Sequence, residues 1–225
     1  MDKNRFEYLV SDSLYERVQK AFNTKIYEVS YIGNLKLDPK QWIDFSIKNF
    51  DEADQKFETA QSYHSEGSRT NSTINIDLDR NEHNSFEINY GRSTDSNEQL
   101  KDLISEEGFN QLKMLPEYAL VRLIVKFPGH GTCFHYDDLA SFNQIFGHKI
   151  GHKISSSYSD LGKVVRYWFS PIPWEDGHVM QISKKMIFGW NPGDVWDIPV
   201  GAVHAAANFG YTPQFTVSLT GVVYD

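Results

Sequence analysis

Apolar and polar residues alternate along the second half of the chain. In the run ALVRLIVKF, the apolar side chains fall on alternate positions from Ala119 to Phe127, and Arg122 and Lys126 fall between them. Successive side chains of a strand point to opposite faces, so this spacing predicts a strand with one apolar and one polar face.

Further short runs follow, separated by Gly, Pro and Asn turns. They are TCFHYD, KVVRYWF, HVMQI, KMIFG, DVWDIP, VHAAAN and QFTVSLTGVV. Many short strands with regular turn signals are typical of a sandwich or barrel. We therefore predict a mainly β chain with helices (α+β), whose core is a double-stranded β-helix of the jelly-roll or cupin-like kind.

The first half has mixed patterns. Helices are predicted over Ser13–Phe22, from Asp38-Pro39 onward, and over Ser96–Ile104, because capping residues precede apolar positions at helical spacing. The runs INIDLD and SFEINY alternate as short strands, and 61–72 reads as a polar loop. No linker divides the chain, so we expect one domain over 1–225, in which 1–115 packs on a core formed by 116–225.

The charge balance narrows the classes of partner. The chain carries 22 basic and 30 acidic residues, a formal charge of −8, which disfavours duplex nucleic acid and anionic membranes as partners. The lone Cys133 cannot form an intramolecular disulfide. No apolar run is long enough to span a bilayer, and MDKNRFEY does not resemble a signal peptide. We expect a cytoplasmic protein.

The stretch GTCFHYDD carries the first candidate chemistry. If the strand continues through it, His135 and Asp137 point to the same face and can reach one metal ion. His204, in PVGAVHAAANFG, is a candidate third ligand from another strand. Two histidines and one carboxylate on one side of Fe(II) leave coordination positions open for other ligands.

Such pairs also arise by chance in a chain with eight histidines. His64-Ser65-Glu66 has the same form, but it lies in the predicted polar loop and is interpreted as a surface feature. His148 and His152 are four residues apart and would share a helix face. They lack a third ligand, and we interpret them as surface residues too.

The context of the first pair is more specific. The strings VKFPGHGTCFHYDD and WNPGDVWDIPVGAVHAAANFGYTPQFTVSLTG together resemble the Fe(II)- and 2-oxoglutarate-dependent oxygenases. The resemblance is strongest to uncharacterised members from marine phages and bacteria, and weaker to the aspartyl/asparaginyl hydroxylase type. It covers about 119–223.

The resemblance implies that His135, Asp137 and His204 bind Fe(II), and that 2-oxoglutarate is the cosubstrate. It further implies oxidation of a substrate C–H bond, by default to a hydroxyl group, with release of succinate and CO2. A carboxylate at Asp137 argues against a halogenase, whose iron needs that position for halide. Asp138 would point away on a regular strand, and is either a solvated turn carboxylate or a residue at the substrate mouth.

One position departs from the family pattern. The far carboxylate of 2-oxoglutarate needs a cation, and a guanidinium suits it best. Relatives carry an arginine after a proline on the last strand, where NFGYTPQFTVS has Gln214. Another cation could serve, the cosubstrate could differ, or the protein could be inactive as an oxygenase.

Arg166 in KVVRYWF is the first replacement, since relatives have a similar arginine and its alternation allows it to face the barrel interior. The alternative is an exposed arginine on an edge strand. Arg122 and Lys126 are second choices. The other predicted cosubstrate residues are Gln214, Thr216, Ser218 and Asn208. The first three could instead form the polar face of the last strand, and Asn208 could instead be a turn residue.

The substrate residues are the least determined. We assign Tyr136, Asp138 and Trp168 to this group, although tryptophans on barrel strands are more often core. The segment LASFNQIFGHKIGHKISSSYSDLG lies between the ligands and is a lid candidate. An amino-acid-like small molecule is the expected substrate, and a peptide is the second candidate. Two other functions stay open: a cupin-type metal enzyme that does not use 2-oxoglutarate, and a non-catalytic jelly-roll binding module.

Overall fold

The computed structural model describes residues 6–9, 27–56, 87–137, 139–147, 158–159 and 162–224. The described helices are α1 (Pro39–Lys48), α2 (Thr94–Gln111) and α3 (Ala140–Phe146), with a 3-10 turn at Phe50–Glu52. The described strands are β1 (Phe6–Leu9), β2 (Tyr31–Asn34), β3 (Asp54–Lys56), β4 (Glu87–Tyr90), β5 (Met114–Lys126), β6 (Gly131–His135), β7 (Tyr158–Ser159), β8 (Gly162–Phe169), β9 (His178–Ile182), β10 (Lys185–Phe188), β11 (Asp194–Asp197), β12 (His204–Asn208) and β13 (Gln214–Val223). Among these residues no helix has both the length and the apolar character needed to cross a membrane.

The strands form two antiparallel sheets. One has the order β1-β10-β9-β12-β6, and the other has the order β2-β11-β8-β13-β5-β4-β3, with β7 against β8. From β5 to β13 the chain passes repeatedly from one sheet to the other, which is the winding of a jelly roll. The predicted jelly-roll core is therefore confirmed. The edge strands β1 and β2 were not predicted.

Helices α1 and α2 cover the outer face of the larger sheet. The Asp38 side chain accepts a hydrogen bond from the Lys40 backbone at 3.0 Å and caps α1, as predicted. The cap of α2 is Ser93, which accepts from the Ser96 backbone at 3.2 Å, so this helix begins earlier and ends later than the predicted Ser96–Ile104. Buried apolar residues of both helices join one core with the sheet, including Trp42, Phe45, Leu100, Ile104, Val121, Leu123, Val125, Val217 and Leu219.

The polar faces of the central strands point into the barrel. Val121, Leu123 and Val125 of β5 pack under the helices, whereas Arg122 and Lys126 line a cavity of about 420 Å³ between the sheets. The alternation of β5 was predicted correctly. Its polar face meets the cavity between the sheets because the helices occupy the other face.

Helix α3 packs on the barrel through a separate cluster. Leu139, Phe142 and Phe146 are buried with Leu120 and Val222. This helix is the described beginning of the lid candidate. Several predictions lie outside the described residues, namely the helix at 13–22, the loop at 61–72, the strand INIDLD, His64, Glu66, Asp138, His148 and His152.

Candidate metal centre

His135 and His204 are direct neighbours across the two sheet strands β6 and β12. Their ring centroids are 4.2 Å apart. The register shifts between His204 and Ala206, which marks a bulge in β6 beside the pair. Bulges are common next to active sites because they redirect side chains. No local pattern in the sequence predicts this bulge.

Asp137 completes the group from just beyond the end of β6. Its Oδ1 lies 3.9 Å from His135 Nε2, and its Oδ2 lies 3.4 Å from His204 Nε2. One ligand atom from each of the three residues lies within 4.8 Å of the others. The strand ends at His135, so continued alternation is not what brings Asp137 there, although the predicted juxtaposition is observed.

A backbone contact orients His204. Its Nδ1 lies 3.0 Å from the carbonyl oxygen of Ala202, and a carbonyl can only accept, so Nδ1 carries the proton in this contact. In the neutral ring the lone pair then lies on Nε2 and can bind a metal, whereas a ring protonated at both nitrogens donates from Nε2 to Asp137 Oδ2 at 3.4 Å. Metal-binding histidines are commonly fixed in this way.

Arg166 makes the closest contact with Asp137. Its Nη1 is 2.7 Å from Asp137 Oδ2, and its Nε donates to Thr220 Oγ1 at 3.1 Å. Burial by itself raises the pKa of Asp137, but the hydrogen bond with His204 and the charges of Arg166 and the histidines outweigh burial and hold this pKa well below its usual range. Asp137 is therefore an anionic ligand at neutral pH.

These donors suit a divalent transition metal. Two imidazole nitrogens and one carboxylate oxygen are the ligand set of Fe(II) sites that keep open positions. All three side chains line the 420 Å³ cavity, so a metal held by them would face the space between the two sheets. The donor set and its placement therefore fit the predicted iron site.

Arg166 lies on an internal strand, between β11 and β13. Its side chain is 13% exposed and lines the cavity. The alternative of an exposed arginine on an edge strand is therefore wrong. Its role as the cation for the cosubstrate stays a prediction, because its observed partners are Asp137 and Thr220.

The predicted residues of the last strand differ in placement. Gln214 is fully buried, its Nε2 donates to the Val179 carbonyl at 3.3 Å, and its Oε1 has no hydrogen-bond partner within the described part of the chain. Thr216 lines the cavity and donates to the Ile124 carbonyl at 3.3 Å. Ser218 also lines the cavity.

Asn208 is buried at the end of β12, and its side chain holds the turn that leads to β13. Its Nδ2 donates to the carbonyls of Lys126 and Thr212 at 2.9 and 2.8 Å, and its Oδ1 accepts from the Gly210 backbone at 3.0 Å. Both amide hydrogens are thus bonded to backbone. This is the turn role that the sequence left open, and a role toward the cosubstrate stays a prediction.

The predicted substrate residues Tyr136 and Trp168 lie in different environments. Tyr136 is 49% exposed between two ligands. Trp168 is 3% exposed, lines the cavity and packs edge-on against Trp190 with ring centroids 5.0 Å apart. It therefore belongs both to the core and to the cavity wall.

A buried ionic network beside the cavity was not predicted from the sequence. The Oε2 of Glu87 on β4 lies 3.2 Å from both Lys126 Nζ and His130 Nε2, and Asn89 donates to Oε1 at 3.0 Å. Each of these four residues is less than 10% exposed. A glutamate inside the predicted strand SFEINY was the one available signal.

A second cavity adjoins the first. Its volume is about 930 Å³, and Arg92 and Leu120 line both cavities. We call the 420 Å³ cavity the inner cavity and the 930 Å³ cavity the outer cavity. Helix α3 contributes Phe142 to the inner cavity and Phe146 to the outer cavity. The metal centre therefore lies beside a larger space.

No protein-family model matches the chain, and no curated protein matches its sequence. Among solved structures, the chain is similar to SnoN, a non-heme alpha ketoglutarate dependent epimerase from nogalamycin biosynthesis. That match has 9% identity and a TM-score of 0.54, and covers 95% of this chain and 84% of SnoN. SnoN in complex with Fe3+, alpha ketoglutarate and nogalamycin RO matches at 8% identity and a TM-score of 0.53, covering 95% and 85%. At these identities the likeness supports the fold alone.

A prolyl hydroxylase from Trichoplax adhaerens, in complex with a hypoxia inducible factor peptide fragment, is a further match. It has 8% identity and a TM-score of 0.44, and the alignment covers 95% of this chain and 94% of that chain. We draw no argument from so remote a likeness.

Proposed function

We propose that this protein is an Fe(II)- and 2-oxoglutarate-dependent oxygenase that hydroxylates a C–H bond of a small, amino-acid-like substrate. The observation that carries the proposal is the convergence of His135, Asp137 and His204 within 4.8 Å at the wall of the cavity between the sheets. The likeness in fold to SnoN, whose structure holds Fe3+ and alpha ketoglutarate, supports the same cofactor and cosubstrate.

Bound iron would supply the oxidising chemistry, and the chain's residues would control its setting. Ala202 holds His204 in the tautomer that presents Nε2. Arg166 is 2.7 Å from the Asp137 carboxylate, which fixes that side chain and keeps it ionised. The His204 side chain is buried in the cavity wall, whereas His135 and Asp137 are partly exposed at 38% and 42%.

The two cavities set the scale of the substrate. The inner cavity of about 420 Å³ must hold the cosubstrate, and the adjoining 930 Å³ cavity offers room for the rest of a substrate. A small molecule fits this space, and an extended peptide is the alternative. We keep the expectation that no duplex nucleic acid is bound, because of the net charge of −8.

The test is a visible spectrum recorded without oxygen. Purified protein with Fe(II) and 2-oxoglutarate should develop a metal-to-ligand charge-transfer band. The band should be absent from His135→Ala and retained in Tyr136→Phe, which alters a side chain between two ligands. Metal binding without a band would overturn the proposal in favour of a cupin-type metal enzyme. Absence of metal binding would overturn it in favour of a binding module.

A further inference from the structure

The outer cavity has a wall that is partly polar and partly apolar. Its polar part is one face of α2, and its apolar part includes Ile145 and Phe146 of α3 and Leu120 of β5. Ile145 is 45% exposed although it is a large apolar residue. A wall of this kind fits a ligand that has an apolar body and a small number of polar groups.

Lys101 of α2 is a buried cation in this wall. Its side chain is 9% exposed, and its Nζ donates to Glu98 Oε1 at 2.8 Å. An ammonium group has three N–H donors, and Glu98 is its only partner within the described part of the chain. Because Glu98 is itself 61% exposed, the pair compensates the burial of the Lys101 charge only weakly. The oxygen of an anionic ligand would bond to the remaining donors and add to that compensation.

The acidic residues of the same wall lie in solvent. Asp102, Glu106 and Glu117 line the outer cavity, and all three are exposed. Salt screens exposed charges beyond about 8 Å, whereas buried charges are screened much less. These carboxylates therefore oppose an anion beside Lys101 only weakly. Arg92, which lines both cavities, adds a second positive charge to the wall.

The backbone of α2 is strained one turn beyond Lys101. Ser105 has a φ of 68° and a ψ of 162° inside the helix, and it lines the outer cavity too. This conformation is unfavourable for any residue with a side chain, and residues held in such conformations cluster at ligand-binding and active sites. The strained position and the buried cation therefore mark the same stretch of the wall.

We propose that Lys101 binds a carboxylate of the substrate in the outer cavity, and that the apolar part of this substrate extends past Leu120 toward the metal ligands. Leu120 is 7% exposed and lines both cavities, so it lies where they adjoin. The inference rests on the proposed function, and it narrows the amino-acid-like substrate to one with a carboxylate group. This carboxylate belongs to the substrate, whereas 2-oxoglutarate would lie at the metal ligands in the inner cavity.

Pairs of probes that differ in charge but not in chain length isolate this contact. Butanoate, hexanoate and octanoate are each compared with the amide of the same length, by calorimetry without oxygen, on protein loaded with Fe(II) and 2-oxoglutarate. The parent protein should bind at least one acid more tightly than its amide. Lys101→Met keeps a chain of similar length and removes the charge, so it should weaken binding of that acid about 10- to 100-fold and leave the amide unchanged.

Two further variants serve as a complement and a control. Glu98→Gln removes the carboxylate that competes for Lys101, and should strengthen binding of the acid several-fold. It changes an exposed side chain, so the inference stays testable if Lys101→Met does not fold. The matched control is Lys40→Met, which breaks an exposed ion pair on α1, outside the walls of both cavities. It should leave the preference for the acid intact.

Three results would overturn the inference. The first is that the parent protein binds none of the three acids, or binds each acid and its amide equally. The second is an unchanged preference in whichever of Lys101→Met and Glu98→Gln folds. The third is an equal loss in Lys40→Met, which would make the effect one of general charge.

Failure of the proposed function looks different. A preference for the acid that depends on Lys101, in a protein that gives no charge-transfer band with Fe(II) and 2-oxoglutarate, would keep the carboxylate site and reject the oxygenase. A charge-transfer band without that preference would keep the oxygenase and reject the carboxylate site.

Discussion

Gln214 on β13 and Lys126 on β5 are direct partners in the antiparallel pairing of these strands. The position where the sequence pattern calls for an arginine thus has a cation beside it, contributed by the neighbouring strand. That cation is bound to Glu87 at 3.2 Å. The cation beside Gln214 is therefore already paired with a carboxylate of the chain.

Replacing Glu87 should destabilise the fold strongly. Glu87→Gln removes the carboxylate that lies 3.2 Å from Lys126 and His130, and so breaks the ion pair of the buried Lys126. Breaking a buried ion pair costs about 3–5 kcal/mol of unfolding free energy. Urea unfolding followed by circular dichroism measures the loss.

Adding Lys126→Met to Glu87→Gln should recover part of that stability, because both charges are then absent. The exposed pair of Lys40 with Asp44 supplies the control, and Asp44→Asn should leave the urea midpoint unchanged. If Glu87→Gln alone matched the parent protein, the network would contribute nothing to the fold.

Metal should stabilise the protein through the three ligands. A ligand that binds only the folded state at 100 times its dissociation constant adds about 2.7 kcal/mol, which is about 5–10 °C in the unfolding midpoint of a chain of this size. After chelator treatment, adding Fe(II) or Mn(II) should raise the midpoint of the parent protein. The response should disappear in His204→Ala.

Tyr136→Phe is the matched control for the metal response. Tyr136 follows one ligand and precedes another, yet it is 49% exposed, so its change should leave the metal-dependent midpoint shift intact. An undiminished shift in His204→Ala would place the metal elsewhere.

The sequence predicted the strands of the second half well, because each has a regular alternation and ends at turn residues. It could not say which face of β5 meets solvent. An amphipathic strand usually turns its polar face outward, whereas here helices cover the apolar face, and Arg122 and Lys126 line the cavity. That orientation depends on helix packing, which strand periodicity does not encode.

The sequence predicted the three candidate metal ligands but not the ionic network around Glu87, because contacts between distant segments leave no local pattern. His135, Asp137 and His204 stand out because the resemblance fixes their spacing. Glu87 and His130 are 43 residues apart in the chain, and their contact follows from the pairing of β4 with β5. No local pattern signals such a contact, and none signals the bulge beside His204.

Gly193 should tolerate no side chain. Its φ is +80°, and a Cβ built there would lie 1.9 Å from the Leu35 carbonyl oxygen, which is backbone and cannot move aside. The close approach is fixed by the hydrogen bond from the Leu35 backbone to the Gly193 carbonyl at 2.8 Å. Gly193→Ala should lower the unfolding free energy by at least about 2 kcal/mol in urea titrations.

Gly131→Ala provides the comparison in β6. The nearest heavy atom to its added Cβ would be Ala207 Cβ at 3.6 Å, which is ordinary contact. This variant should unfold close to the parent midpoint. Equal effects of the two substitutions would mean that neither the positive φ of Gly193 nor the clash at Leu35 determines the loss.

Asp197 should make stability depend on pH. Burial raises its pKa above 3.8, and Lys163 offsets this only in part. The folded state therefore holds the proton more tightly than the unfolded state, so the stabilisation is present below pH 3.8 and is lost as the pH rises through the raised pKa. At neutral pH the carboxylate is charged and its burial is unfavourable.

Asp197→Asn keeps the shape and removes that charge. Its urea midpoint should exceed the parent value at pH 7, and the difference should shrink toward zero as the pH falls below about 4. Lys163→Met removes the charge that partly offsets the burial of Asp197. It should therefore lower the urea midpoint more in the parent protein than in the Asp197→Asn background. The difference in urea midpoint between Asp197→Asn and the parent protein could instead stay constant across this pH range. That result would assign the effect to packing, because only a titrating carboxylate makes the difference vary with pH.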